Sequence, residues 1–180
     1  MKRLWAPWRM EFIGKAERGC VFCTLPRGTS DRDSLILRRG TSSYIIMNRY
    51  PYNNGHLMVA PYRHILDFEE LSEVERLEVM EEIALCVKAL RQTVDPGGFN
   101  LGANLGRASG AGFEHLHFHV VPRWDGDTNF MPILGEAKVI PQHLMDTYDR
   151  LLPAFKAKRQ EKRQKGAGGR APATRISRTQ

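Results

Sequence analysis

The sequence predicts an α+β fold: an antiparallel sheet of about five strands, with a long helix and a C-terminal helix packed on it. Two periodicities carry that prediction. Short β-rich runs bounded by Gly, Pro and Asn turns recur over residues 35–61 and 99–121, and apolar residues recur at helical spacing after Ser72 and after Gln142. No internal repeat divides the 180 residues, and 42% hydrophobic content suffices for one core.

The opening stretch from Leu4 to Ile13 carries Trp5 and Trp8, and reads as a segment pinned onto the body or a partner. Cys20-Val-Phe-Cys23 follows, a spacing used for metal or redox chemistry, then a polar loop over 26–33. Leu35–Leu37 and Tyr44–Met47 form a predicted hairpin around Gly40. Tyr50–Gly55 is a dense turn signal, and His56–Pro61 is the next strand, stopped by proline. Ser72 and Glu75 make a capping box. Val74, Leu77, Met80, Ile83, Ala84, Val87 and Leu90 then predict the inner stripe of a helix ended by Pro96-Gly-Gly98. Cys86 lies on or beside that stripe and reads as core. Phe99–Asn104 is a short strand candidate, and residues 124–132 read as a loop. Gln142–Lys156 predicts a last helix with Leu144, Met145, Tyr148, Leu151, Leu152 and Phe155 inward, interrupted by Pro153. His143 on this helix reads as a surface or packing residue.

The net charge of +7 resides in the tail. From Lys156 onward nine basic residues face one acid, whereas residues 1–155 balance to −1. The expected organisation is therefore a domain over 1–155 and a basic tail over 156–180, disordered or a frayed extension of the last helix. Three cysteines are too few for a disulfide scaffold, and no apolar run reaches membrane-spanning length. A cytoplasmic protein is expected.

The chemistry concentrates in Gly110-Ala-Gly-Phe-Glu-His-Leu-His-Phe-His-Val-Val-Pro122, which holds three of the six histidines. In an extended strand His115, His117 and His119 project from one face, about 7 Å apart, while Leu116, Phe118 and Val120 face the core. Stacked imidazoles are a poor structural choice, because every ring nitrogen needs a partner. On spacing alone, a polar edge-strand face and plain metal binding stay open. A neutral imidazole is a competent nucleophile near pH 7, and a Gly-rich turn directly before it lets main-chain amides approach a phosphate.

These residues resemble the histidine triad (HIT) superfamily. His115-Leu-His-Phe-His-Val-Val121 fits its H-φ-H-φ-H-φ-φ signature throughout. The Asn48–Pro61 stretch, the Leu-Trp-Ala-Pro-Trp-Arg opening and the 123–132 segment are similar to bacterial diadenosine tetraphosphate phosphorylase-like members of the fragile-histidine-triad branch. The resemblance implies a HIT-like fold, a homodimer, and hydrolysis of diadenosine tri- or tetraphosphate at the α-phosphate. His117 would be the nucleophile, His119 a donor, and Ser109, Gly110, Ala111 and Gly112 the phosphate-side groups. Asn48 falls at a ribose-binding position and Asn104 at a polyphosphate-side one; a turn cap and a loop hydrogen bond are the plain alternatives. Two departures are visible. The usual Gly-Gln-Ser/Thr-Val before the triad is Gly110-Ala-Gly-Phe113 here, and the Gln of phosphorylase-like relatives at the third triad position is His119, which favours a hydrolase.

Relatives of this kind also pair a Cys-x-x-Cys with two histidines, matching Cys20, Cys23, His64 and His115 here. That implies a closed structural zinc site, against the alternative of two reduced, partly buried cysteines. The rival functions are a phosphorylase using phosphate as acceptor, and a nucleotide-binding or polynucleotide-adenylate-processing protein using the basic tail.

Overall fold

The computed structural model describes residues 19–109, 114–127 and 142–167. Its sheet is antiparallel and five-stranded, ordered β1 (Ile36–Arg39), β2 (Ser43–Met47), β3 (Leu57–Pro61), β5 (Phe118–Arg123), β4 (Gly98–Ala103). The α-helices among the described residues are α1 (Val21–Thr24), α2 (Glu73–Val94) and α3 (Leu144–Ala167). Helix α2 packs across β2, β3 and β5, and α3 packs on α2 and β1. The α+β expectation holds, strand for strand.

Two central strands set the geometry that matters. β3 pairs with β5 in the register Leu57↔Val120, Met58↔His119, Val59↔Phe118. Alternation along each strand therefore places His119, Met58 and His56 on one face, and Leu57, Val59, Phe118 and Val120 on the other. The turn before β3 closes at Gly55, whose φ is +76° and whose missing side chain would sit 3.1 Å from the Leu90 side chain on α2. The left-handed φ and the close neighbour together favour glycine here. β5 starts later than the periodicity predicts. Of the three, His119 alone lies within it, and His115 and His117 occupy the approach to it, held by Leu116 N–H to the Ile65 carbonyl, 2.7 Å. Leu116 and Val120 are fully buried, as expected, and Phe118 nearly so.

The capping box at Ser72 and Glu75 is present, with both reciprocal hydrogen bonds. The predicted inner stripe of α2 needs correction. Val74, Leu77 and Met80 are 71%, 64% and 58% exposed, and Ala84 is also outside. The buried face is Glu75, Val79, Glu82, Ile83, Leu85, Cys86, Ala89 and Leu90. Pairing made this possible. Arg63 holds Glu75 through two contacts, 3.0 and 2.8 Å, and Arg38 Nε donates to Glu82 at 2.8 Å. Two partnered carboxylates can sit where hydropathy alone would put leucines. Cys86 is core, and burial pushes its thiol well up, so it is inert.

Pro153 does not interrupt α3; it lies exposed within the helix. Losing its hydrogen bond costs about 3 kcal/mol. Burial of Tyr148, Leu151 and Phe155, worth about 1.5–3 kcal/mol each, outweighs that. The Tyr148 hydroxyl also donates to the Ile36 carbonyl, 2.9 Å. The helix runs through the first part of the basic tail to Ala167. The Trp5/Trp8 segment, residues 128–132 of the predicted loop, and 168–180 lie outside the described residues.

Ser72→Ala is expected to cost about 1 kcal/mol of unfolding free energy in urea titrations. Arg63, then Ser72, holds the Glu75 carboxyl down to about 2 from an ordinary 4.5. Its folded-state value is depressed, so its contribution is fully present above pH 4.5 and drains away as pH falls toward 2. Stability measured from pH 7 downward should therefore fall less steeply over that window in Glu75→Gln.

Candidate active site and metal cluster

The first triad imidazole, His115, is buried, and its Nε2 lies 3.0 Å from the Pro61 carbonyl. A carbonyl only accepts, so Nε2 carries the proton and Nδ1 presents a lone pair. That lone pair faces Cys20 Sγ at 3.3 Å, Cys23 Sγ at 3.5 Å and His64 Nδ1 at 3.2 Å, while Cys23 Sγ and His64 Nδ1 are 3.4 Å apart. All four ligand atoms lie within 4.8 Å of one another. A tetrahedron with zinc–sulfur and zinc–nitrogen bonds of ordinary length has edges of about 3.3–3.8 Å, so the donor set fits such an ion. Cys20 caps the single turn of α1 and Cys23 lies within it, with Cys23 and Thr24 N–H both donating to the Cys20 carbonyl. His64 follows β3. Burial first, then the adjacent Cys20 sulfur, pushes the Cys23 thiol up, and a cation at the cluster would offset that penalty.

His117 is buried, and its Nδ1 is 2.7 Å from the main-chain carbonyl of His115. Nδ1 therefore carries the proton and Nε2 the lone pair. Burial holds this imidazole below its ordinary pKa, against the opposing carbonyl contact, so it is neutral at pH 7. Phe22 of α1 stacks on the ring at 4.5 Å between centroids, and His119 meets it edge-on at 4.8 Å.

Sequence reasoning missed His56. It is fully buried, and its Nδ1 receives the Tyr52 N–H at 3.1 Å and the Asn48 side-chain amide at 3.2 Å. Its Nε2 must then be the protonated nitrogen, and it donates to His119 Nδ1 at 2.9 Å. His119 is in turn left with its proton on Nε2. The signal existed, a histidine heading an otherwise apolar strand, but only the β3–β5 register shows that it neighbours His119.

The remaining predicted residues divide. Asn48 Oδ1 accepts the Tyr50 N–H at 2.9 Å, closing a turn, so the plain alternative is realised together with the contact to His56. Asn104 is half-buried just past β4. The Ser109 hydroxyl is exposed and donates to the Gly106 carbonyl, 2.7 Å. Gly110, Ala111 and Gly112 lie outside the described residues. His143, as expected, is a surface residue; its ring accepts the Met145 N–H at the start of α3.

The arrangement thus combines a neutral imidazole with a fixed lone pair, a neighbouring imidazole with a fixed donor, and a four-ligand cluster one residue away. The family model described as "HIT domain" matches residues 30–126. The AP-4-A phosphorylase of Mycobacterium tuberculosis is 42% identical over 158 residues, 82% of this chain and 80% of that protein. Among solved structures, a Zn-bound histidine triad family protein from Mycobacterium smegmatis superposes with a TM-score of 0.64 at 22% identity, covering 79% of this chain and 97% of that one. A hypothetical histidine triad nucleotide-binding protein from Sulfolobus tokodaii gives 0.61 at 23%, covering 85% and 100%. No helix among the described residues is long and apolar enough to cross a membrane.

Nitrogen-15 NMR at neutral pH should find His117 as the Nδ1–H tautomer and His56 and His119 as Nε2–H tautomers. An Nε2–H signal for His117 would contradict the assignment.

Proposed function

The chain belongs to the HIT domain family, and we propose that it acts there as a nucleotidyl hydrolase on dinucleoside polyphosphates such as diadenosine tri- or tetraphosphate. The observation that carries this reading is the His117 imidazole, neutral and held with its Nε2 lone pair available by the His115 carbonyl. In the reading, Nε2 attacks the α-phosphorus, the bridging P–O bond breaks toward the departing nucleotide, and water later cleaves the P–N bond. The Nε2–H of His119, oriented by His56, is a donor for the phosphate oxygens. Gly110, Ala111 and Gly112 supply main-chain donors beside Ser109, and Asn104 serves the polyphosphate side. The Asn48 amide, already engaged by Tyr50 and His56, retains one lone pair and one N–H for a ribose hydroxyl.

A second reading is phosphorolysis, with inorganic phosphate in place of water. It is favoured by the 42% identity to a relative named as an AP-4-A phosphorylase. One experiment separates the two and tests the nucleophile. Diadenosine tetraphosphate is turned over in oxygen-labelled water with excess phosphate. Hydrolysis puts the label into nucleotide product; ADP built from added phosphate, formed faster than labelled product, would establish phosphorolysis. In the same assay His117→Ala should lose several orders of magnitude in kcat with nucleotide affinity retained, and near-normal turnover would remove His117 from the mechanism.

Cys20, Cys23, His64 and His115 hold a structural zinc in this reading. The tetrahedral fit of their ligand atoms supports it, as does the Zn-bound state of the M. smegmatis protein of the same fold. When bound, the ion cross-links three chain segments and adds to folding stability. The three free cysteines suit a cytoplasmic setting, and the exposed Val74, Leu77 and Met80 of α2 with Leu101 of edge strand β4 offer surface to a second copy in a homodimer. Elemental analysis should find about one zinc per chain. Cys20→Ser should lose it, with a lowered Tm preceding any loss of activity. A metal-free wild type of undiminished stability would return the cysteines to ordinary packing.

A further inference from the structure

Phe22 lies between the two cluster cysteines, yet its ring rests on the second triad histidine. It is 2% exposed, stacks on His117 at 4.5 Å with the planes 27° apart, and touches His115 at 5.4 Å. Its main chain is held independently: the Tyr44 hydroxyl donates to the Phe22 carbonyl at 2.8 Å, and Phe22 sits in α1 between the capping Cys20 and Cys23. We infer that Phe22 is a positioning residue for His117, fixing the imidazole plane and stabilising the positive charge the ring acquires when its Nε2 is nucleotidylated. The inference rests on the reading of His117 as nucleophile.

The charge follows from the tautomer. His117 keeps its Nδ1 proton on the His115 carbonyl. When the Nε2 lone pair forms the P–N bond, the electrons of the breaking P–O bond leave with the departing polyphosphate. No proton is lost from the ring, which therefore becomes an imidazolium. Discharge reverses this, the P–N electrons returning to Nε2. The positive charge thus exists in the intermediate and partly in both transition states, but not in the free enzyme. A phenyl face within about 6 Å of a cation attracts it through the ring quadrupole, most strongly where water is excluded. At 4.5 Å between centroids in a buried site, Phe22 meets both conditions, and its effect falls on the chemical step rather than on substrate binding. Stacking also removes ring-flip freedom, so the lone pair approaches phosphorus from one direction.

Ordinary core packing makes a different forecast, because a side chain that only fills space is indifferent to ring electronics. The test replaces Phe22 alone with 4-fluoro-, 3,5-difluoro- and 3,4,5-trifluorophenylalanine, alongside Phe22→Leu. The readouts are the single-turnover rate of nucleotidyl-histidine formation from diadenosine tetraphosphate, KM, and bound metal per chain. The rate should fall stepwise with fluorination and by about 10- to 30-fold in Phe22→Leu, with KM and metal content unchanged. A flat fluorination series overturns the role of Phe22. His117→Gly in the same assay separates the two failures: an inactive His117→Gly beside a flat series sinks this inference alone, whereas an active one sinks the nucleophile assignment and this inference with it.

Discussion

The hydrogen bond from His115 Nε2 to the Pro61 carbonyl joins the end of β3 to the approach of β5 at 3.0 Å. It decides which nitrogen of His115 carries the proton, and so which nitrogen faces the cysteines. The same residue's carbonyl takes the Nδ1 proton of His117, which decides the lone pair on the next imidazole. One residue therefore orients a candidate metal-ligand nitrogen with its side chain and a candidate nucleophile with its main chain. If the approach to β5 moved, both sites would lose their geometry together. The Leu116 N–H bonded to the Ile65 carbonyl is what holds it in place.

The imidazoles of His56, His115, His117 and His119 would be costly to gather without partners, since an unpaired buried polar atom forfeits about 1–3 kcal/mol. Here proton directions run consistently. Tyr52 N–H points into His56, His56 into His119, and His117 into His115, so no two donors oppose each other at a described contact. Chains of this kind need no reorganisation when charge develops, which is the usual source of electrostatic preorganisation.

The rest of the fold supports this arrangement by unusual use of carboxylates. Glu75 and Glu82 occupy the inner face of α2, matched to Arg63 and Arg38 from the β3 and β1 regions. These pairs tie the helix to the sheet at two defined points. The apolar residues displaced from that face, Val74, Leu77 and Met80, are consequently outside.

The α+β class, every strand, the capping box, and the Cys20–Cys23–His64–His115 grouping were all legible in the sequence, the last through family resemblance rather than spacing. Such features are local, or depend on motifs that are. Tertiary structure decided the rest. The inner face of α2 was misjudged because a carboxylate reads as surface until its arginine partner, distant in sequence, is known. His56 went unnoticed because its partner lies on a strand sixty-three positions away, brought adjacent only by the β3–β5 register. Phe22 carries no signal of its own in the sequence, and only folding lays it on His117. The tautomers, on which the chemistry turns, belong wholly to the folded state, since a ring nitrogen's proton is assigned by the partner it meets there.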